Sequence, residues 1–432
     1  MEKNRRLRWL VAALIFVGAL YRYWPIDSPL GPCGSGYESL ELACSIAHKA
    51  SFSDPFTVPT GPSAHLAPLF PFLVSTLIRW LGDGPAAMNA VQWMGTLVVA
   101  LQLSLWPWVA KRLGMGFVSG AIGAGGWLLV GFVLLPMWEA AHVAILVLIL
   151  VMCMHQILSK QVPTGFVLLT GVLWGITFLF NPVALLAYTA LTLWIICFRR
   201  IQRVQKLVLI IIPFLVISPW LVRNYQVFHH FVLIRDNLGL ELSISNNPCA
   251  TFSFRTNRSA NCYHHPNESV AEAGKVRALG EYVYNQTKLR EALGWMKDNP
   301  ARFADLTKQR FLAFWFYSPG RNYFAVRHIP LSILIIWLTT PLSIGGLWLL
   351  LKNDRNAAGL CLAWLVLFPA VYYFVAFVPR YRYPILWASF MPASFLLTEV
   401  VQEVWQGRRK SNAAPAARVS WLSAKWRRDV HR

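Results

Sequence analysis

Long apolar runs recur along this chain, and they restrict its fold more than any other feature of the sequence. Runs such as VAILVLILVMCM at 143–154 and LVLIIIPFLVISPW at 207–220 contain no charged residue. A hydrocarbon core about 30 Å thick needs about 20 apolar residues per helix. Of the 432 residues, 56% are hydrophobic and 14% are charged, whereas about a quarter are charged in soluble domains. We predict an all-α, multi-pass membrane protein.

The pattern predicts about ten transmembrane helices. They are placed at about 8–24, 85–110, 117–135, 140–158, 164–180, 183–198, 207–222, 329–351, 357–377 and 384–404. The first follows Lys3, Arg5 and Arg6 and lacks a small-residue cleavage site, so it is predicted to be a retained anchor. The segment 66–82 is apolar but short and contains two prolines and an arginine. We predict a helix lying on the outer membrane surface there.

The formal net charge of +21 does not indicate nucleic-acid binding, because the basic clusters lie at alternate membrane exits. This distribution predicts that both termini are cytoplasmic and that two large loops, 25–84 and 223–328, are external. The predicted division is a membrane part at 1–222, an external cap at 223–328, a second membrane part at 329–405 and a basic tail at 406–432. The cap contains amphipathic stretches at helical spacing.

The first external loop concentrates carboxylates beside helix-like sequence. Glu38, in SGYESLEL, precedes an apolar face that can hold a helix against the bundle, so it is the leading candidate for a catalytic base. Glu41 is a weaker candidate, and His48 and Asp54 are assigned structural roles. Glu139, in LLPMWEAAHVAIL, lies close to the hydrocarbon, where a carboxylate is costly and often functional; a water-facing turn is the alternative. His142 is assigned to packing.

Arginines at external helix ends form the second candidate group. The positive-inside rule predicts few of them there, yet SPWLVRNYQVF and FVLIRDNLGLEL supply Arg223, Asn224 and Arg235, and FVPRYRYPI supplies Arg380 and Arg382. A guanidinium binds phosphate bidentately, and lipid phosphates lie at this depth. We therefore assign these residues, with His65 of the first loop, to substrate binding. Ion pairing with carboxylates or lipid head groups is the alternative.

The seven cysteines show no zinc-type spacing. Cys153, Cys197 and Cys361 lie in spans and are assigned to packing. Cys249 and Cys262 share an external loop, where a disulfide is plausible without being decided by the sequence. We predict no cofactor and no bound metal, although a divalent ion stays an open alternative.

Together these stretches resemble the GT-C glycosyltransferases of the family 39 type, which are related to protein O-mannosyltransferases and to the aminoarabinose transferase of lipid A. The resemblance rests on YESLELACSIAHKASFSDPF with TGPSAHLAPLFPF, on PMWEAAH, on SPWLVRNYQVFHHFVLIRDNLGLEL and on FVPRYRYPI. It implies a multi-pass fold and a lipid-linked sugar donor. It maps the first-loop acid to Glu38, the second acid to Glu139, and donor-phosphate arginines to Arg223 or Arg382. Tyr37 stands where many relatives have an aspartate before the glutamate.

The function expected from these features is transfer of a sugar from a polyprenyl phosphate to an acceptor hydroxyl at the outer face of a bacterial inner membrane. The acceptor is a lipid, a glycan or a protein. One carboxylate acts as base, arginines hold the donor phosphate, and the anomeric centre inverts. The alternatives are a flippase or transporter for a lipid-linked glycan, which would need charges at mid-membrane, and an O-antigen ligase or polymerase, which would need no acid in the first loop.

Overall fold

A computed structural model describes residues 5–25, 28–130, 138–199, 201–316 and 329–406. The predicted basic tail thus lies almost wholly outside the described residues, as does 317–328 of the cap. The helices are α1 (Arg5–Arg22), α2 (Glu38–Lys49), α3 (Leu69–Leu81), α4 (Pro85–Arg112), α5 (Phe117–Val130), α6 (Ala140–Ser159), α7 (Thr164–Phe180), α8 (Ala184–Phe198), α9 (Arg203–Phe228), α10 (Leu238–Ser245), α11 (Phe254–Ser259), α12 (Val270–Leu279), α13 (Glu281–Asp298), α14 (Pro300–Trp315), α15 (Ile329–Asn353), α16 (Arg355–Leu367) and α17 (386–406).

Six helical segments are long and apolar enough to cross a membrane, which confirms the prediction of an all-α, multi-pass membrane protein. They are Pro85–Arg112, Ala140–Ser159, Arg203–Phe228, Ile333–Asn353, Arg355–Tyr373 and Pro379–Gln406. Four shorter apolar helices, α3, α5, α7 and α8, accompany them. Six segments meet the length criterion, so the number of spans, predicted as ten, stays a prediction.

Small residues allow the membrane helices to approach closely. Gly175 of α7 lies against α9, and a Cβ built on it would come 2.5 Å from the Cβ of Val216. Such contacts are a common basis of helix association in lipid, where burial of apolar surface supplies little driving force. Large aromatic side chains fill the remaining interior, as in the stacked pair of Trp174 and Trp364.

Two predicted span boundaries differ from the structure. Helix α9 continues to Phe228 instead of ending at 222, so Arg223 and Asn224 belong to the helix. The span predicted at 357–377 is an α-helix only as far as Leu367. It is followed by a 3-10 turn over Pro369–Tyr373, a non-helical stretch, and a second 3-10 turn over Pro379–Ile385 that leads into α17. Pro369 and Pro379 explain the break, because proline lacks the N–H that continues a helix.

The two external loops pack against each other. In the first loop, α2 packs on α3, and Arg79 Nη2 donates to the Ile46 carbonyl at 2.8 Å. In the second, α10 lies so close to α13 that a Cβ on Gly239 would come 2.0 Å from the main-chain carbonyl oxygen of Asn285. The Thr57 hydroxyl donates to the Pro266 carbonyl at 3.0 Å and joins the two loops directly.

Each loop contains one disulfide. Cys249 pairs with Cys262, as the sequence made plausible. Cys33 pairs with Cys44 and fastens the start of the first loop to α2; the sequence analysis missed this pair. At 13 residues, α3 is about 20 Å long, which is too short to cross a bilayer and consistent with a surface helix.

Candidate active site

Glu38 opens α2, and the chain before it is tightly ordered. Gly34 and Gly36 both adopt positive φ, and their N–H groups donate to the Glu41 carboxylate at 3.2 and 3.0 Å. Glu41 is thereby committed to the turn that precedes the helix. Glu38 is left with a side chain that is only 15% exposed. Of the two acids in the first turn of α2, Glu38 is the one whose side chain points into the interior and Glu41 the one bonded to the preceding turn.

Two histidines from different loops meet the Glu38 carboxylate. His65 Nε2 of the first loop lies 3.5 Å from Oε2, and His265 Nε2 of the cap lies 3.3 Å from Oε1. The histidine side chains are 1% and 2% exposed, and the Phe56 ring packs edge-on against both. The sequence analysis placed His65 at the site but missed His265. Its only signal was the doublet His264–His265, which begins two residues after the disulfide cysteine Cys262.

The charges of these three groups shift one another's pKa values. Burial alone would raise the pKa of Glu38, but the neighbouring His65 and His265, with Arg380, outweigh it and lower this pKa to about 2. Burial opposes a charge on His65, yet the Glu38 carboxylate raises the pKa of His65 above its ordinary value. Burial lowers the pKa of His265 to about 4, because one carboxylate cannot offset two cations and His65 repels the second. An ionised Glu38 therefore lies beside His65, whose protonated form it favours, and beside a neutral His265.

Glu38, His65 and His265 are also the groups that could hold a metal ion, since their ligand atoms all lie within 4.8 Å of one another. Two imidazoles and a carboxylate are a donor set of catalytic zinc sites. However, the Asn267 N–H donates to His265 Nδ1 at 3.0 Å, which leaves the proton on Nε2 facing Glu38. A metal on Nε2 would require that proton on Nδ1. His265 in this tautomer does not fit a metal, and the three groups form a cluster of close histidine–carboxylate contacts instead.

Arg235 and Arg380 supply positive charge beside this cluster. Arg235 Nε donates to the His65 carbonyl at 3.2 Å, and its two Nη groups have no hydrogen bond to a described residue. The Arg380 guanidinium lies 3.6 Å from the centre of the Trp138 ring, and Tyr37 packs edge-on against the same ring. Both arginines also act electrostatically on Glu241, and Arg380 acts on Glu38 as well. Their free donors can therefore bind an anion next to Glu38.

Glu241 of α10 is a second carboxylate at this site that the sequence analysis passed over. Burial raises its pKa, the Glu38 charge reinforces that shift, and His65, Arg235 and Arg380 oppose it. Among the described residues, its side chain has one hydrogen-bond contact, at 3.4 Å from Asn237 Nδ2. The Tyr263 ring stacks on His265. Burial, reinforced by the charges of Glu241 and Glu38, raises the pKa of Tyr263. The site is thus lined by carboxylates, imidazoles and aromatic rings.

The structure gives Arg223, Asn224 and Arg382 a different environment from the one expected. Arg223 Nη1 donates to the Ser63 carbonyl at 2.6 Å and Nη2 to the Phe52 carbonyl at 2.9 Å. Asn224 is fully buried and donates to the Val232 carbonyl at 3.2 Å. Their donors are used to hold the chain, which favours a structural role over phosphate binding.

Arg382 is 5% exposed and donates from Nη1 to the Phe314 and Trp315 carbonyls at 3.2 and 3.0 Å. From Nη2 it reaches the Thr340 and Ser389 hydroxyls at 3.3 and 3.5 Å. It therefore closes the carboxyl end of α14 and joins it to α15 and α17. This corrects the expectation of a phosphate ligand, because the guanidinium is enclosed by protein groups.

The remaining candidates occupy the rim and the interior. Glu139 precedes α6, is half-buried, and acts electrostatically on Arg380, which places it at the edge of the site. His142 is buried and stacks on Phe180, in agreement with packing. His48 pairs with Asp83 at 2.9 Å, and Asp54 accepts the Thr60 and Gly61 N–H groups at 3.0 and 2.8 Å. Both are structural contacts within the first loop.

No protein-family model and no curated protein matches the chain, but solved structures do. The apo oligosaccharyltransferase of Archaeoglobus fulgidus superposes with a TM-score of 0.55 at 13% identity, over 95% of this chain and 52% of that one. The same enzyme in complex with Zn and sulfate gives a TM-score of 0.53 at 12% identity, over 91% and 49%. This chain therefore shares its fold with the archaeal oligosaccharyltransferase. It spans about half the length of that protein.

ArnT from Cupriavidus metallidurans, solved bound to undecaprenyl phosphate, also matches, with a TM-score of 0.34 at 12% identity over 90% of this chain and 77% of that one. At such identities the likeness to the archaeal enzyme shows the fold alone, and the multi-pass helical fold expected from the sequence is confirmed.

Proposed function

We propose that this protein is a membrane glycosyltransferase that moves a sugar from a polyprenyl-phosphate donor to an acceptor hydroxyl at the outer face of a bacterial inner membrane. The observation that carries the proposal is the ionised, nearly buried Glu38 beside two arginines with free donors. A carboxylate and a phosphate-binding cation in one enclosed site are the two groups that such a transfer requires. The neighbouring GT-C proteins support the same class of donor.

Arg380 and Arg235 are the proposed phosphate ligands. Guanidinium groups bind phosphate oxygens through charge-assisted hydrogen bonds. When the bond from the anomeric carbon to the phosphate oxygen breaks, its electron pair leaves with the phosphate, and the arginines stabilise the added charge. A phosphate leaves as a weak base, so no general acid is needed.

Glu38 is the proposed base. It accepts a hydrogen bond from the acceptor hydroxyl, whose oxygen attacks the anomeric carbon from the side opposite to the phosphate, which inverts that centre. An alcohol oxygen becomes strongly acidic once it is bonded to that carbon, so a carboxylate with a low pKa is sufficient to take the proton late in the step. His65 and His265 lie against the two oxygens of the carboxylate and stabilise its charge before the reaction.

The disulfides support an external site. Cys33–Cys44 and Cys249–Cys262 lie in the two loops that form the site. Disulfides persist in oxidising compartments such as the bacterial periplasm. With this side outside, the basic clusters on the opposite side and both termini are cytoplasmic, in agreement with the positive-inside rule.

The test uses the purified protein in detergent with a bacterial membrane lipid extract as the source of donor and acceptor. Release of free polyprenyl phosphate, followed by mass spectrometry, reports transfer. We expect Glu38→Gln to lower the rate by about 10³-fold or more, because the neutral amide cannot accept the proton. Glu268→Gln, at a surface carboxylate paired with Arg258, is the matched control and should be unchanged. Full activity of Glu38→Gln would show that Glu38 is not the base.

A transporter is the main alternative class, and the same assay separates it. A flippase leaves its lipid-linked cargo chemically intact, whereas a transferase consumes the donor. Comparison of membrane glycolipids and glycoproteins from cells with and without this chain would then identify the sugar and the acceptor, since the missing product carries both.

A further inference from the structure

Three consecutive residues of the first loop are completely buried, and none of them belongs to a helix or a strand. They are Ser63, Ala64 and His65. Buried backbone groups need hydrogen-bond partners, and a loop usually finds them in water. Here every backbone N–H and C=O of the three residues is bonded to protein. The segment that carries His65 is therefore held from several directions at once.

The partners come from four places in the chain. Within the first loop, Ser63 N–H donates to the Phe52 carbonyl at 3.0 Å, and His65 N–H donates to the Ser63 hydroxyl at 3.0 Å. The Ser63 carbonyl accepts from Arg223 of α9, the Ala64 carbonyl accepts from the Asp236 N–H at 2.8 Å, and the His65 carbonyl accepts from Arg235. The sixth group, the Ala64 N–H, donates to Glu281 Oε1 at 2.6 Å.

Glu281 differs from the other partners, because it comes from the cap, at the start of α13 and 217 residues from Ala64. It is 3% exposed, and its Oε2 is buried without a hydrogen bond to a described residue. Burying a carboxylate costs several kcal/mol unless its bonds repay it. Neighbouring α13 acids such as Glu291 stay at the surface and pair with Lys288. A carboxylate is therefore buried at the one point where α13 reaches the His65 segment.

We propose that Glu281 is a positioning residue that fixes the His65 segment from the cap, and through His65 fixes the orientation of the Glu38 carboxylate. The proposal rests on the proposed function of Glu38 as the base. It makes docking of the cap and formation of the site a single event, since the same cap also supplies His265 to the other Glu38 oxygen. Arg223 of α9 and Arg235, which lies between α9 and α10, complete the same clamp.

The test compares two variants of Glu281 by hydrogen–deuterium exchange of the purified full chain. Glu281→Ala removes the acceptor for the Ala64 N–H, and we expect exchange of peptides covering 52–66 to rise about 10-fold or more while peptides of α12 and α13 keep their protection. Glu281→Gln keeps a carbonyl acceptor and should retain most of the protection. Glu291→Gln, on the same helix, is the control and should match the wild type.

Activity gives the second measurement. Glu281→Ala should lower kcat about 10- to 100-fold, and Glu281→Gln should recover most of kcat, because the amide keeps a carbonyl that can accept from the Ala64 N–H. A residue that only held the cap together would instead lower the amount of folded protein and expose the whole cap to exchange.

Two results would overturn the positioning role. One is unchanged exchange at 52–66 in Glu281→Ala, and the other is loss of protection throughout the cap in both variants. If the exchange results are as expected but even the wild type transfers no sugar, the clamp stands and the proposed reaction is wrong. The two proposals therefore fail in different measurements.

Discussion

Two sets of arginines lie near the same outer end of the helix bundle, and they differ in what their guanidinium groups contact. Arg223 and Arg382 are enclosed by main-chain carbonyls and hydroxyls. Arg235 and Arg380 keep free donors beside Glu38 and Glu241. An arginine at an external helix end can thus be a clamp for the chain or a ligand for an anion. The residue type is the same, and the surrounding acceptors decide between the two.

The difference has a physical cause in the geometry of helix ends. The last carbonyls of a helix have no intrahelical partner, and a buried end has no water to supply one. Arg382 fills that need for α14, because its donors meet the Phe314 and Trp315 carbonyls. Arg380, two residues earlier, instead stacks on Trp138 and faces other charged groups. The 3-10 turn over Pro379–Ile385 sends these two side chains to different neighbours.

The largest effect is expected at Arg382. Arg382→Met would leave the Phe314 carbonyl without the donor that Arg382 supplies, at about 1–3 kcal/mol for a buried group left unsatisfied, while the Trp315 carbonyl keeps the Thr340 hydroxyl as donor. We expect little monodisperse protein in detergent, and a thermal midpoint lowered by about 10 °C or more. A well-folded Arg382→Met protein that has lost only donor affinity would reverse the assignment of this arginine.

A smaller and more specific effect is expected at Arg380. Arg380→Gln removes the charge beside Glu38 while the stack on Trp138 can still be filled by a planar amide. The thermal midpoint should change little, and kcat/KM for the lipid-phosphate donor should fall about 100-fold, equivalent to about 2.7 kcal/mol. Arg380→Lys should recover part of that loss, since a lysine keeps the charge without the bidentate geometry. Equal activity in all three proteins would remove Arg380 from the site.

A pH-dependent effect on stability is expected at Asp236, which follows Arg235. Burial, reinforced by Glu281 and opposed by His65, raises the pKa of Asp236 to about 8, and its Oδ2 is buried without a hydrogen bond to a described residue. In the unfolded chain this carboxyl has a pKa of about 3.9. The unfolded state therefore loses the proton first, and stability falls as the pH rises from about 4 to about 8.

Asp236→Asn cannot ionise, so it should be more stable than the wild type above pH 8 and indistinguishable from it below pH 4. Thermal midpoints measured across that range report the difference, at about 2–4 °C for each kcal/mol. A difference that is the same at every pH would mean that the Asp236 carboxyl does not titrate in this way.

The candidate site was predictable from the sequence only in part. Glu38 could be chosen over its neighbours because the apolar residues that follow it predict a helix pressed onto the bundle, and the structure places it inside. His265 could not be found, because it lies 227 positions further along the chain in a polar stretch with no periodic pattern. Glu241 had the same disadvantage, since a short helix contributes one acid to the site and the apolar pattern around it indicates only packing.

The sequence by itself determined that the chain is helical and membrane-embedded, and it predicted which side of the membrane carries the two large polar loops. Apolar run length and basic-residue placement are properties of single segments, and the bilayer acts on each segment independently. Which arginines keep donors beside Glu38, which acid is buried and which histidine meets Glu38 were decided only by the tertiary structure. Those assignments depend on acceptors contributed by α9, α13, α14 and the first loop, and contacts between distant segments leave no periodic signal in the chain.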